Sequence, residues 1–286
     1  MATREKKNHL FVSGLVSRSG TTLLQLVLSA HPEISISPET HSIEYALKTM
    51  HQHTLDVDSV LLAEFAKNDA KLNSWPGFDF SELAPLLAQS PRTKVRDFMD
   101  RLFSLHDAKF LGDPAWTGNK KGLYGTGLAA TVKKVYPKAK FLFIYRDPRD
   151  SVPSILRNLH HLGRDHVLHE IGLRHRAINA TLDAFPDSCL VLRFEDLVSD
   201  PESACGQICR FLDLAFDPAM VRFHEANANG ERLLGATTAI HQRTRTPFDP
   251  GRIDAWREAL PKSEALAIQS GLGDLMNQYG YQPLAE

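Results

Sequence analysis

The stretch from His9 to Thr40 constrains the fold of this chain more than any other part of the sequence. Its first residues, His9–Val12, form a short apolar run typical of a buried strand. A glycine-bounded loop, Gly14–Gly20, then leads into the apolar segment Thr21–Ala30, which we predict to be a helix. This arrangement leaves unpaired backbone N–H groups at the helix start, where an anion can bind. The stretch therefore predicts a site for a phosphate-type group.

A second junction of the same kind lies near the middle of the chain. Lys140–Tyr145 (KFLFIY) predicts a strand buried on both faces, as in a parallel sheet. Arg146 follows it, and Asp147 and Pro148 suit the start of a helix. Ser154 lies about two turns into that helix, so a second phosphate could bind between it and Arg146. Taken alone, however, an arginine at a strand end is usually a salt-bridged surface residue.

Strands and helices alternate along the rest of the chain. Further strands are predicted at Glu33–Ser37 and Cys189–Phe194, and an amphipathic helix at Pro201–Leu212. The alternation predicts one α/β domain over residues 1–286, with a central parallel sheet flanked by helices. A largely helical insertion, about 42–111, carries no recognisable motif, so we interpret it either as packing or as a cover that faces the substrate.

Four further segments complete the predicted layout. We expect a polar loop at Gly118–Gly122 and a helix at Thr126–Tyr136, which ends before a proline. Two more helices are expected in the tail, at Ile253–Leu260 and Ser263–Tyr279.

Composition mainly excludes classes of function. The net charge of −1 provides no global basic field, so we expect no nucleic-acid partner. No apolar run is long enough to span a membrane, and no signal peptide is visible. The three cysteines have no paired metal-ligand spacing and favour a reducing compartment. A cytoplasmic location is therefore expected.

A histidine-rich segment raises the question of a metal site. His166, His169 and Glu170 could face one way on a helix, but their spacing is not HExxH and no further carboxylate cluster accompanies them. Histidines on a solvated helix explain the segment better, so we expect no metal.

The first loop is not a Walker A motif. Five residues separate Gly14 from Gly20, and Thr21 stands where the lysine should be. A magnesium-dependent nucleoside triphosphatase is thus disfavoured, although a P-loop-type kinase and a non-catalytic nucleotide-binding scaffold stay open as alternatives. The loop still offers one guanidinium and three hydroxyls, those of Arg18, Ser19, Thr21 and Thr22.

Together the two junctions resemble the sulfotransferases that use 3′-phosphoadenosine 5′-phosphosulfate (PAPS). SRSGTTLLQLVLSAHPEIS resembles the family's 5′-phosphosulfate loop, and FIYRDPRDSVPSIL resembles its 3′-phosphate loop. LVLRFEDLVSDPESACGQICRFLDL resembles a segment of the bacterial members, and IDAWREAL in the tail extends the likeness. The resemblance implies a P-loop-NTPase-like fold and transfer of a sulfuryl group from PAPS to an acceptor hydroxyl, which leaves 3′,5′-ADP (PAP).

The resemblance also implies roles for individual residues. It implies that the 5′-phosphosulfate is bound by a cradle formed by Arg18, Ser19, Gly20, Thr21 and Thr22. It implies that the 3′-phosphate is bound by Arg146 and Ser154. Arg243 and Arg245 could close over the 3′-phosphate from the tail, but a solvated loop explains them equally well.

The tyrosylprotein sulfotransferases offer the closer template within the family. Their pattern Arg-Ser-Gly-Thr-Thr-Leu, Ala-His-Pro and Glu-Thr matches positions 18–23, 30–32 and 39–40 at identical spacing. It implies Glu39 as general base, with Lys120 and Arg18 stabilising the leaving group. Lys121 stays an alternative to Lys120, and Glu39 could instead be a helix N-terminal carboxylate. One departure is Phe194, which stands where such enzymes have a tyrosine; the other is that we expect no membrane anchor.

The acceptor stays open at this point. A peptide tyrosine, a sugar, a lipid head group or a small phenol or alcohol would each provide the hydroxyl. In-line displacement with a carboxylate base requires no metal, by analogy with phosphoryl transfer. A homodimer also stays open.

Overall fold

The computed structural model describes residues 7–15, 18–110, 113–120, 127–158, 161–226 and 246–284. Its strands are β1 (Asn8–Gly14), β2 (Ile34–Ser37), β3 (Asp56–Asp58), β4 (Arg92–Lys94), β5 (Trp116–Lys120), β6 (Lys140–Tyr145) and β7 (Cys189–Arg193). Five of them form a parallel sheet in the order β2-β5-β1-β6-β7.

Helices cover both faces of this sheet. They are α1 (Thr21–Ser29), α2 (His41–Thr49), α3 (Ser59–Asn68), α4 (Ala70–Asn73), α5 (Ala84–Ala88), α6 (Val95–Phe110), α7 (Leu128–Val135), α8 (Pro148–Asn158), α9 (Arg164–Ala184), α10 (Phe194–Ser199), α11 (Pro201–Leu212), α12 (Phe223–Ala226), α13 (Trp256–Ala259), α14 (Lys262–Gly271) and α15 (Gly273–Gln278). None of the described helices is both long and apolar enough to cross a membrane.

The apolar strands divide the interior into two cores. Alternate residues of β6 point to opposite faces, so that Phe141 and Phe143 join one core and Leu142 and Ile144 the other. The first core packs against helices of the insertion together with α7, α8, α9, α14 and α15, and the second packs against α1, α10, α11 and α12. Burial on both faces explains why β6 has a continuous apolar sequence. The predicted α/β fold with a central parallel sheet is confirmed.

The insertion between β2 and β5 contains helices α2 to α6, in agreement with the sequence, and also a small sheet that the sequence did not predict. Strands β3 and β4 pair antiparallel. Arg92 binds the Asp56 carboxylate through Nε at 2.9 Å and Nη2 at 2.7 Å. Each strand has only three residues, too few for a periodic pattern to indicate them.

The polar loop predicted at Gly118–Gly122 is wrong for its first three residues, which belong to strand β5. Gly118 is required there because a Cβ would lie only 1.7 Å from the backbone oxygen of Leu10 on β1. Asn119 is fully buried, and its Nδ2 donates to Oγ of Ser37 at 2.9 Å. A glycine and a buried amide resemble a turn in sequence, but here they permit close strand approach and satisfy polar groups.

The two tail helices are also shorter than predicted. Only Trp256–Ala259 is helical within the first. The second is divided into α14 and α15 at Leu272, whose φ of −132° and ψ of 25° are not helical. Gly271 and Gly273 flank this residue, and their low helix propensity explains the break.

The sheet places the described strand-end segments of the predicted site at one edge. Because the strands are parallel, their carboxyl ends lie together, and ligands bind at that edge in open α/β sheets. The residues at these ends are Gly14, Ser37, Lys120, Tyr145 and Arg193.

Replacement of Gly118 by alanine should weaken the sheet, because the new Cβ would force β5 away from β1. We expect Gly118→Ala to lower the free energy of unfolding by about 1–3 kcal/mol, measured by urea denaturation. Gly273→Ala is the matched control, because a Cβ there meets no atom within 4 Å. Equal midpoints for the two variants would contradict the role of Gly118.

Candidate active site

The loop between β1 and α1 forms the first part of the site. Gly20 has a φ of +96°, which side chains rarely permit, and a Cβ there would lie 2.7 Å from Cδ2 of Phe194. Helix α1 begins at Thr21 and has no side-chain cap, and Ser19 beside it is buried. The N–H groups of its first turn are therefore suited to bind an anion at the carboxyl edge.

Lys120 reaches this loop from the neighbouring strand. Its Nζ donates to Oγ1 of Thr22 at 3.1 Å. Burial lowers the pKa of Lys120 to about 8; the charge of Glu39 opposes this shift and that of Lys71 adds to it. Because β5 pairs with β1 so that Lys120 lies beside Val12, an adjacent strand supplies the ammonium group that a Walker lysine supplies from the loop itself.

Arg18 joins the first junction to the second. Its φ of 73° lies in the left-handed region, an uncommon conformation for a residue with a side chain. Its Nε donates to Oγ of Ser154 on α8 at 3.1 Å. This contact connects two strand-to-helix junctions that lie 136 positions apart in the sequence.

Arg146 directly follows β6 and is buried. Its guanidinium stacks on the ring of Phe194, with Cζ 4.4 Å from the ring centroid. Nη2 donates to the carbonyl oxygen of Arg252 at 3.0 Å and lies 3.8 Å from the Asp150 carboxylate. Burial lowers the pKa of the guanidinium, and Nε has no hydrogen-bond partner among the described residues. A buried N–H without a partner is a donor that a phosphate oxygen would satisfy.

Glu39 lies on the connection that follows β2. Its Oε2 accepts a hydrogen bond from Nζ of Lys71 at 3.1 Å, and its backbone oxygen accepts one from Nε1 of Trp75 at 3.0 Å. The preceding carbonyl, that of Pro38, accepts from Nδ2 of Asn119 at 2.6 Å. The backbone around the carboxylate is thus held from two sides, by the helical insertion and by β5.

A buried carboxylate, Asp69, fixes the same connection to the insertion. Its Oδ2 accepts from Oγ1 of Thr40 at 2.6 Å and from the N–H groups of His41 and Ser42, both at 2.8 Å. Its Oδ1 accepts from the N–H of Lys71 at 3.0 Å. Burial alone would raise the pKa of Asp69, but these hydrogen bonds lower it below its ordinary value. One side chain thus caps both α2 and α4.

The C-terminal segment is fastened to the second junction. Arg149 donates to the Asp147 carboxylate from Nε at 3.0 Å and from Nη2 at 2.6 Å, and from Nη1 to the carbonyl of Gln282 at 2.9 Å. Its Cζ lies 4.1 Å from the centroid of the Trp256 ring. The N–H of Trp256 donates to Asp150, whose pKa burial raises to about 6. These contacts hold the tail against the start of α8.

Comparison with known families identifies the fold and the class of enzyme. Residues 10–218 match the model described as the sulfotransferase family. The chain belongs to the sulfotransferase family. The match confirms the resemblance drawn from the two junctions, and with it the prediction of a sulfotransferase.

Curated relatives of this sulfotransferase include two animal proteins. It is 26% identical over 290 residues to the protein-tyrosine sulfotransferase of Drosophila melanogaster. This alignment covers 96% of this chain and 52% of the fly protein. It is 25% identical to protein-tyrosine sulfotransferase A of Caenorhabditis elegans, with 96% of this chain and 68% of that protein covered. The chain therefore spans about half the length of the fly relative.

Solved structures share the fold. The sulfotransferase domain of the Synechococcus PCC 7002 olefin synthase aligns with a TM-score of 0.68 at 19% identity and covers 98% of each chain. The sulfotransferase domain from the curacin biosynthetic pathway aligns with a TM-score of 0.64 at 19% identity, covering 95% of this chain and 99% of that one. Both likenesses support the α/β architecture described above.

Some predicted site residues cannot be placed. Arg243, Arg245 and Lys121 lie outside the described residues, so their roles stay predictions. Within the described part of the chain, no three metal-ligating side chains converge. His166 and His169 lie exposed on α9.

Sequence reasoning missed the contribution of α4 to the site. Lys71 contacts Glu39 across 32 positions, a separation that no spacing rule could suggest. One signal was available: an aspartate directly before the segment that begins at Ala70 is a typical helix N-cap. That signal predicts that Asp69 starts a helix, but it does not predict that Asp69 also accepts a hydrogen bond from the N–H of Ser42.

We expect Asp69→Asn to destabilise the sulfotransferase by about 1–3 kcal/mol at pH 7, because buried donors would lose a charged acceptor. Since the pKa of Asp69 is lowered by folding, its contribution is present above the ordinary carboxyl range and is lost on acidification. Urea denaturation at pH 7 and pH 3 should therefore show a smaller difference between wild type and variant at pH 3.

Asp58→Asn is the matched control for this measurement. Asp58 also caps a helix, α3, but it is exposed, and its Oδ1 accepts from the N–H of Leu61. Asparagine caps helices about as well as aspartate, so little change is expected. Equal losses for the two variants would exclude a special role for Asp69.

Proposed function

We propose that this sulfotransferase transfers the sulfuryl group of PAPS to an acceptor hydroxyl, with Glu39 as the general base. The observation that carries the proposal is the Arg18–Ser154 hydrogen bond, which joins two anion-binding junctions into one continuous site. A single phosphate requires one such junction. A nucleotide that carries groups at both its 5′ and 3′ positions requires two.

The residues present fit such a donor. We assign the 5′-phosphosulfate to the uncapped start of α1, next to Gly20, and to Lys120. We assign the 3′-phosphate to the second junction, where Arg146 has an unsatisfied Nε. Arg18 of the first junction donates to Ser154 of the second. PAPS would supply the activated sulfuryl group, and PAP would remain.

The chain's own residues then have distinct tasks in the transfer. Glu39 accepts the proton of the acceptor hydroxyl while the hydroxyl oxygen forms a bond to sulfur. The bond between sulfur and the bridging phosphate oxygen breaks, and that oxygen keeps the electron pair. Lys120 and the N–H groups of α1 stabilise the negative charge that develops there. Arg18 positions the donor through both junctions.

A P-loop-type kinase is the runner-up, and two observations disfavour it. The loop has no lysine of its own, and Lys120 comes instead from β5. A nucleoside triphosphate also carries no 3′-phosphate that the second junction could bind. A non-catalytic nucleotide-binding scaffold is the third reading, and it predicts that Glu39 is dispensable.

A hydroxyl on a peptide tyrosine is the acceptor to test first, because the curated relatives are protein-tyrosine sulfotransferases. Sugars, lipid head groups and small phenols or alcohols are the other candidates. We also propose a cytoplasmic location. It is supported by the three free cysteines, of which Cys205 and Cys209 are buried.

Glu39→Gln should abolish transfer, because an amide cannot accept the hydroxyl proton. We expect a fall in kcat of about 10²-fold or more with unchanged PAP affinity. The acceptor is first found by mass spectrometry of an extract incubated with PAPS, as a gain of one SO₃ group. Glu33→Gln, at an exposed glutamate just before β2, is the control. Full activity in Glu39→Gln would show that another group is the base.

Arg146→Gln should weaken PAP selectively, since it removes a buried charged donor for the 3′-phosphate. Loss of such a donor corresponds to about 10- to 100-fold in affinity. Binding of 5′-AMP, measured by calorimetry, should change little. Ser154→Ala tests the same pocket without disturbing the tail, and Arg157→Gln on the exposed side of α8 is the control. An equal loss for PAP and 5′-AMP would contradict the assignment.

A further inference from the structure

Lys71 of the helical insertion contacts the carboxylate proposed as the base. Its Nζ lies 3.1 Å from Oε2 of Glu39, and both side chains are partly exposed, 45% for Lys71 and 33% for Glu39. The pair therefore lies at an accessible surface of the site. Ion pairs with this exposure contribute little to stability, about 0–1 kcal/mol, so the contact needs another explanation.

The backbone that carries this pair is held firmly, unlike that of an incidental surface contact. Asp69 accepts from the N–H of Lys71 through one oxygen and from the connection after Glu39 through the other. Trp75, two residues beyond α4, donates to the backbone oxygen of Glu39. The insertion thus presents Lys71 to Glu39 from a fixed position.

We propose that Lys71 is a positioning residue for the reaction, which orients the Glu39 carboxylate and keeps it ionised for proton transfer. This inference rests on the proposed function of Glu39 as base. A carboxylate has about four acceptor positions, so Lys71 can occupy one while the acceptor hydroxyl uses another. An ammonium group at this distance also favours the ionised form of its partner.

The charged groups around Glu39 come from several elements. Lys71 comes from α4 and Lys120 from β5, and the charges of Glu39 and Lys71 both act on Lys120. Asp69 precedes α4, with its oxygens occupied by hydrogen bonds, and His41 begins α2. Lys71 and Lys120 are thus two cations coupled to one base. Removal of Lys71 leaves Lys120, which is directed towards Thr22.

The helical insertion then has a function beyond packing. It would supply the group that holds the base, while the sheet supplies the base's own connection and the donor loop. A change in the insertion could therefore alter catalysis without altering donor binding. That separation is what an experiment can measure.

The test compares Lys71→Met with Lys71→Arg and with Lys67→Met, whose side chain is exposed on α3. In Lys71→Met we expect the acidic limb of the kcat profile to move to higher pH by about half a unit, which is about a threefold loss of kcat on that limb. Lys71→Arg should restore most of the activity. The control Lys67→Met should keep the wild-type pH profile. The affinity for PAP and the melting temperature of all three variants should stay close to those of the wild type.

The results for Glu39→Gln and Lys71→Met together separate this inference from the proposed function. If Glu39→Gln is inactive while Lys71→Met keeps the wild-type pH profile, Lys71 does not position the base, and the inference is wrong. A fall in melting temperature with an unchanged profile leads to the same conclusion. If Glu39→Gln is itself active, the proposed base is wrong, whatever Lys71 does.

Discussion

Five parallel strands that end at one edge are the constraint on which this structure depends. The edge collects segments distant in sequence, and the hydrogen bond between Arg18 and Ser154 joins two of them directly. Strand residues pack into the two cores or satisfy one another, as Asn119 and Ser37 do, and ligands of open α/β sheets bind beyond the strand ends. The tail, fastened through Arg149, packs against the same edge.

The strands β1, β6 and β7 and the two junctions could be predicted from the sequence. Continuous apolar runs followed by glycine, arginine or proline have few other interpretations. β5 could not, because Gly118, Asn119 and Lys120 are there for close strand approach, buried hydrogen bonds and the site itself. The contact of Lys71 with Glu39 was also beyond reach, since it depends on how a motif-free insertion folds back.

The loop between β1 and α1 contains no lysine, and Lys120 of β5 contacts the start of the helix that follows it. Lys120 is partly buried, and desolvation lowers its pKa to about 8, yet it remains a hydrogen-bond donor to Thr22. The nearby carboxylate of Glu39 acts in the opposite direction and favours the charged form. A separate carboxylate, Asp69, holds the backbone that carries Glu39. Under the proposed roles, donor binding and proton transfer would share one charge network with separate supports.

The most direct test of this account is calorimetry of the wild-type protein with PAP, ADP and ATP, with EDTA and with magnesium. A site built from two anion-binding junctions should bind PAP far more tightly than ADP, since only PAP carries the 3′-phosphate, and it should do so in EDTA. Equal affinity for PAP and ADP, or tight binding of ATP that requires magnesium, would contradict the account and favour a kinase.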